Sequence, residues 1–163
     1  MDAAFLAEFR RTIDRAVERL GTFDDSEAGR PTAPGKWSKK EIVGHLIDSA
    51  ANNHSRFIRA QLQDDLVFAG YDQDAWVRLQ RYGDRSWGDL VRLWQAYSHH
   101  IACVMESADI HALSRERTSH NLDELAWKPV PRSEPTTLNY FMRDYVAHLE
   151  HHLRQALGRD WAQ

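Results

Sequence analysis

The sequence predicts an all-α protein, a four-helix bundle with long connections between helices two and three and between helices three and four. Three observations carry this reading. Four segments repeat apolar residues at spacings of three and four, their boundaries fall at capping residues, glycines and prolines, and no stretch alternates convincingly with a period of two. At 163 residues the chain has room for one domain with a real core and is short for two, so residues 1–163 are expected to form a single domain.

The first helix is marked by Phe5, Leu6, Phe9, Ile13, Ala16, Val17 and Leu20, and spans residues 2–20 before meeting Gly21. The stretch TFDDSEAGRPTAPGK that follows supplies turn conformations and is expected to be a loop. A second helix starts at Ser38. Glu41, three residues on, completes a capping box, and Trp37 is placed to pack on Ile42 as a hydrophobic staple. Ile42, Val43, Leu46, Ile47, Ala50, Phe57, Ile58 and Leu62 carry its apolar face to residue 62. The third helix begins near Ser86 and holds Trp87, Leu90, Val91, Trp94, Tyr97, Ile101 and Met105 on one side. The fourth follows Pro135, with Thr136 or Thr137 as N-cap. It runs through Leu138, Phe141, Tyr145, Leu149, Leu153 and Ala156 to a stop at Gly158.

Of the two long connections, the first contains FAGYDQDAWVRLQRY, where Trp76, Leu79 and Tyr82 mark a short helix starting near Asp72. The second is punctuated by Pro129, Pro131 and Pro135. Connections of this length more often carry function than plain bundles require, so both are candidate walls or lids of a site.

Composition narrows the function classes. Hydrophobic residues at 42% and charged residues at 28% are ordinary for a globular protein. The net charge is −3 and the 21 Lys and Arg are scattered among 24 Asp and Glu, which argues against nucleic acid as a partner, since that affinity needs clustered cations. No apolar run approaches the ~20 residues of a membrane span, and no signal peptide is evident, so a cytoplasmic location without membrane association is expected. The one cysteine, Cys103, cannot form an internal disulfide. Its neighbours Ile101, Val104 and Met105 suggest a buried small hydrophobe rather than a reactive thiol.

Nine histidines are present, and their spacing matters more than their number. His148 and His152 in AHLEHHL are four apart, so on a helix they share a face within joint reach of one metal ion. His151 paired with His148 at spacing three is the alternative. His152 is preferred because it falls in register with Phe141, Tyr145, Leu149 and Ala156, whereas His151 sits with Asp144 and Gln155 toward the polar flank. On the second helix, His45, Ser49, Asn52 and Arg56 form a polar row beside the apolar face. The row is either the lining of a cavity or a solvated flank. Three neutral imidazoles in a dry bundle would be costly without partners, and one divalent ion satisfies His45, His148 and His152 together while leaving a position open for a reactant. Asp48 and Asp144 are either acceptors for imidazole N–H groups or ordinary surface carboxylates. His54, His99, His100, His111 and His120 lack comparable registry. Glu150 points around the helix away from His148 and His152, so the HExxH arrangement of zinc proteases, with its general base, is not met.

The segments KWSKKEIVGHLIDSAANNHSRFIRAQ, GYDQDAWV and LNYFMRDYVAHLEHHLRQ resemble the DinB-like superfamily, and more closely its YfiT-like members, described as metal-dependent hydrolases and related to bacillithiol S-transferases. The resemblance implies a four-helix bundle whose metal, zinc or nickel, is held by the histidine after the Trp37-Ser38-x-x-Glu41 segment and by the H-x-x-x-H pair of the last helix, here His45, His148 and His152. It also implies a homodimer. Relatives that use mycothiol point to a low-molecular-weight thiol as the fourth ligand. The leading expectation is a metal-dependent S-transferase of detoxification or stress type acting on a small-molecule substrate, with Asn52 and Arg56 holding its polar or anionic part. The alternatives are a metal-dependent hydrolase of small substrates and a non-catalytic metal- or small-molecule-binding stress protein.

Overall fold

A computed structural model describes residues 1–31, 33–158 and 161; Thr32 of the expected loop lies outside them. Helix α1 (Ala3–Leu20) is capped by the Asp2 carboxylate, which accepts from the Ala4 N–H. The Gly- and Pro-rich stretch after it contains a short helix, α2 (Asp25–Gly29), started by a capping box of Asp24 and Glu27. Helix α3 (Lys39–Leu62) begins at the predicted Ser38–Glu41 capping box. After α4 (Gln73–Gln80), N-capped by Asp72, and a 3₁₀ turn (Tyr82–Asp84) comes α5 (Trp87–Glu106). The second long connection holds α6 (Ile110–Ser114) and α7 (Leu122–Leu125). Helix α8 (Leu138–Leu157) starts at Thr137 and ends at Gly158, whose φ of 94° favours glycine. The described residues contain no strand, and isolated bridges are the nearest thing to one.

Helix α3 packs on α5 and α8, and α1 packs on the same two helices. The faces between them are closed by Phe9, Trp94, Phe57, Phe141, Leu46 and Ile101, all under 2% exposed. Burying side chains of this size contributes roughly 1.5–3 kcal/mol each. Phe57 meets Phe141 and Tyr145 edge to face at 5.6 and 5.7 Å, which locks the last third of α3 to the first half of α8. Among the described residues, no helix is long and apolar enough to cross a membrane.

Five positions expected on apolar faces or in the core are exposed, two of them Trp76 and Leu79 of α4 at 37% and 75%. Ile58 is 41% and Leu62 84% exposed, four residues apart on the outer face of turns whose Phe57 and Ala60 are buried. Cys103 is also exposed, with the Arg10 guanidinium 3.9 Å from its sulfur. On α5, Ile101, Ala102 and Met105 face inward, and position 103 falls on the opposite side of the same turn.

The long connections are tied down by polar groups. The Leu66 N–H donates to Ser119 O, and the Asn121 carboxamide pairs with the backbone of Phe68 in both directions. Arg117, 2% exposed, donates to Ala60 O at the end of α3 and exchanges backbone hydrogen bonds with Thr136. At Gly44 the Tyr82 ring comes so close that a Cβ would lie 2.1 Å from it, which allows the 3₁₀ turn to seat directly on α3.

Candidate metal centre and its cavities

The centre lies where the first half of α3 faces the last turns of α8. His45 Nε2 stands 3.4 Å from His148 Nε2, and His148 Nε2 stands 3.0 Å from His152 Nε2. One ligand atom from each of the three imidazoles lies within 4.8 Å of the others. Two nitrogens at Zn–N distances of about 2.0–2.1 Å in a tetrahedral arrangement are about 3.3 Å apart, close to both measured separations. Trp37, just before the α3 cap, lays its ring 5.1 Å from that of His45 and 6.4 Å from that of His152. The expected staple residue therefore also walls the centre.

Charge and protonation agree with this geometry. Burial lowers the pKa of His45 to about 3, that of His148 to about 2 and that of His152 to about 4, with the neighbouring imidazoles adding to the effect. All three are neutral near pH 7 and can present lone pairs. His152 Nδ1 lies 2.8 Å from Gln155 Oε1, which only accepts, so the proton sits on Nδ1 and Nε2 is free to ligate. His45 is 1% exposed and its Nδ1 has no hydrogen-bond partner among the described residues. Buried lone pairs gathered at one point and an orphaned ring nitrogen are what a divalent cation would stabilise, so the donor set fits such an ion. His151 is not part of the cluster. Its ring stacks at 4.2 Å on Trp127 and it accepts from the Gln155 amide.

A cavity of about 550 Å³ opens beside the centre, with His45, His148, Ser49, Arg56, Tyr71 and Tyr145 among its walls. The polar row of α3 does line a cavity, with one change: Asn53 stands in the wall and Asn52 does not. Asn52 turns its amide to Asp48 O. Both are one turn from Ser49 on a 3.6-residue period, and the way α3 crosses α8, which sequence spacing does not specify, selects the one four residues on. Arg56 is 7% exposed, donates to Ala69 O at 2.7 Å and has no carboxylate within ion-pair distance among the described residues. Burial lowers its pKa from the usual arginine value. Burial also raises the Tyr71 phenol to about 12.

The two carboxylates left open in the sequence are buried, and each has partners other than an imidazole. Asp48 accepts from Tyr82 OH at 2.7 Å and from the Gln80 amide. Asp144 accepts the backbone N–H groups of Trp127 and Lys128, so it fixes the second long connection against α8 beside the cavity. Burial raises the pKa of both. The partner of an imidazole is instead Gln155, a neutral residue on the turn after His152. The signal for it was its spacing of three from His152, which sequence reading had placed on a polar flank. His120, 6% exposed, is structural: it bonds Glu134 O and the Leu122 N–H.

A second cavity of about 530 Å³ touches the other side of the centre, walled by Lys36, Trp37, Ile42, Asp74, His152 and Gln155. Asp74 borders both cavities.

Fold and site together define a helical bundle with a candidate three-histidine metal centre. The chain belongs to the DinB superfamily, whose family model matches residues 8–156. "Putative metal-dependent hydrolase YfiT" of Bacillus subtilis strain 168 is 27% identical over 150 residues, which cover 91% of this chain and 76% of that protein. "Putative metal-dependent hydrolase OB0413" of Oceanobacillus iheyensis is 23% identical over 73 residues, 45% of this chain and 42% of that one. The solved structure of Bacillus subtilis YfiT, described as a four-helix bundle of unusual topology, superposes with a TM-score of 0.72 at 19% identity, covering 95% of this chain and 85% of that one. A mycothiol-dependent maleylpyruvate isomerase superposes with a TM-score of 0.68 at 11% identity, and this chain spans 62% of its length. Both superpositions establish the shared fold.

Proposed function

We propose that the protein is a metal-dependent enzyme that transfers a low-molecular-weight thiol to a small electrophile, with His45, His148 and His152 as metal ligands. The observation that carries this reading is the convergence of three neutral Nε2 atoms at the wall of a cavity that also holds a buried arginine with no carboxylate at ion-pair distance among the described residues. A divalent ion held there would supply Lewis acidity, lowering the pKa of a thiol or of water in an open position. Zinc and nickel both suit imidazole ligands.

The chain's own groups set the remaining roles. Arg56 binds an anionic part of the thiol substrate, and Asn53, in place of the expected Asn52, offers a hydrogen bond beside it. Tyr71 stays a neutral phenol and donor at neutral pH. Thiol transfer is favoured over hydrolysis because hydrolysis calls for a base near the centre. Both Asp144 oxygens are engaged by backbone N–H groups, Asp72 caps α4, Glu150 pairs with Arg154 and Glu124 with Arg132, which leaves Asp74 as the carboxylate that a hydrolytic reading would have to use. A metal-dependent hydrolase is the second reading, favoured by the names of the two relatives.

The test couples metal analysis to activity. Wild type is expected to hold one zinc or nickel per chain and His45→Ala well under half of that. Metal-loaded wild type should consume bacillithiol, mycothiol or glutathione in the presence of monochlorobimane or chloro-dinitrobenzene. Hydrolysis of ester or amide probes without thiol consumption would move the assignment to the second reading. Equal metal content in wild type and His45→Ala would end both.

A further inference from the structure

The three-imidazole centre stands between two cavities of nearly equal size whose walls differ in kind. His45 and His148 border the cavity that contains Arg56, Asn53 and Ser49, whereas His152 borders the one that contains Trp37, Ile42 and Lys36. The second wall combines an indole ring held against two of the imidazoles, an aliphatic side chain that is 2% exposed, the exposed Lys36 and the carboxylate of Asp74. Asp74 lines both cavities. A bimolecular transfer needs both reactants at one centre in a defined orientation, and one site with two unlike compartments meets that need.

We propose that the Trp37 cavity binds the electrophilic reactant, a flat apolar molecule carrying an anionic or electron-withdrawing group, while the Arg56 cavity binds the thiol. This rests on the thiol-transfer reading of the centre. The indole offers an aromatic face for stacking, and Lys36 attracts the negative end. In the transfer the thiol proton leaves to solvent, a sulfur lone pair forms the new S–C bond, and the leaving group of the aryl or alkyl halide departs with the electrons of the bond that breaks. Neither oxidant nor reductant is consumed.

Binding of 2,4-dinitrophenolate, a flat anion with no leaving group under these conditions, tests the assignment without turnover. Equilibrium dialysis of the zinc-loaded protein should show saturable binding, weakened at least tenfold by Trp37→Ala and at least threefold by Lys36→Glu, and changed less than twofold by Arg56→Ala. Trp37→Phe, which keeps an aromatic face, guards against a folding defect in the alanine variant and should retain most of the affinity. Absence of saturable binding, or equal binding by wild type, Trp37→Ala and Lys36→Glu, overturns the proposal, as does loss of binding in Arg56→Ala alone. Binding as described with no thiol consumption would leave the cavity assigned as a ligand site and remove the transferase reading.

Discussion

At the scale of single residues, the three ligand candidates were legible because helical spacing and burial point the same way. His148 and His152 share a face four residues apart, and His45 borders an apolar stripe beginning at a capping box. The distinction between Asn52 and Asn53 was not legible, since spacings of three and four are near neighbours on a helix and packing decides between them. Cys103 was misread because an apolar sequence neighbourhood wraps all sides of a helix, and only the partner helices decide which side is covered. Gln155→Leu removes the acceptor that fixes the His152 tautomer, so metal affinity should fall about 10–100-fold with the fold retained; competition titration against a chromogenic chelator measures it, and unchanged affinity would refute the role. Gly44→Ala tests the contact with the Tyr82 ring. In an exposed helix interior this substitution gains up to about 1 kcal/mol, whereas here a Cβ 2.1 Å from the ring should cost roughly 1–3 kcal/mol. The sign alone, read from urea denaturation, decides the matter.

At the scale of elements, the four long helices follow their caps and apolar periods closely. Ser38 and Thr137 bond the helices they were placed before, and Asp2, expected as the first residue of its helix, caps α1 instead. Ser38→Ala removes a capping box that is itself 2% exposed and should cost about 1 kcal/mol, visible as a lower denaturation midpoint with unchanged slope. An unchanged midpoint would mean that Trp37 and the following packing suffice. Helix α2 escaped notice although Asp24 and Glu27 carry the same box signature, because the surrounding Gly and Pro residues dominate the local pattern. The short helices α6 and α7 and the attachments of the second long connection escaped for a different reason. They depend on Arg117, Asn121 and Asp144 meeting backbone groups far away in sequence, which no local rule anticipates.

At the scale of the whole molecule, the neutral imidazoles couple stability to pH and to metal. Their folded pKa values of about 3, 2 and 4 lie below the unfolded value near 6.5, so the unfolded chain takes up protons first. Stability of the apo protein is therefore full above about pH 6.5 and falls as pH drops toward 4, by up to about 1.4 kcal/mol per pH unit for each imidazole. Asp48 and Asp144, with raised folded values, act in the opposite direction and offset part of the loss. Urea midpoints of the apo protein at pH 7.5, 6 and 5 should decline in that order, and a flat series would contradict the buried neutral trio. Zinc at one hundred times its Kd should add about 2.7 kcal/mol and raise Tm in wild type but not in His45→Ala. Finally, His45 and Arg56 stand on one helix, and at 1.5 Å per residue their backbones are about 16 Å apart along its axis. The pair acts as a ruler: a compact thiol such as mercaptoethanol is too short to touch both marks, so turnover across a series of carboxylate-tailed thiols should rise in a step once the chain reaches from one to the other.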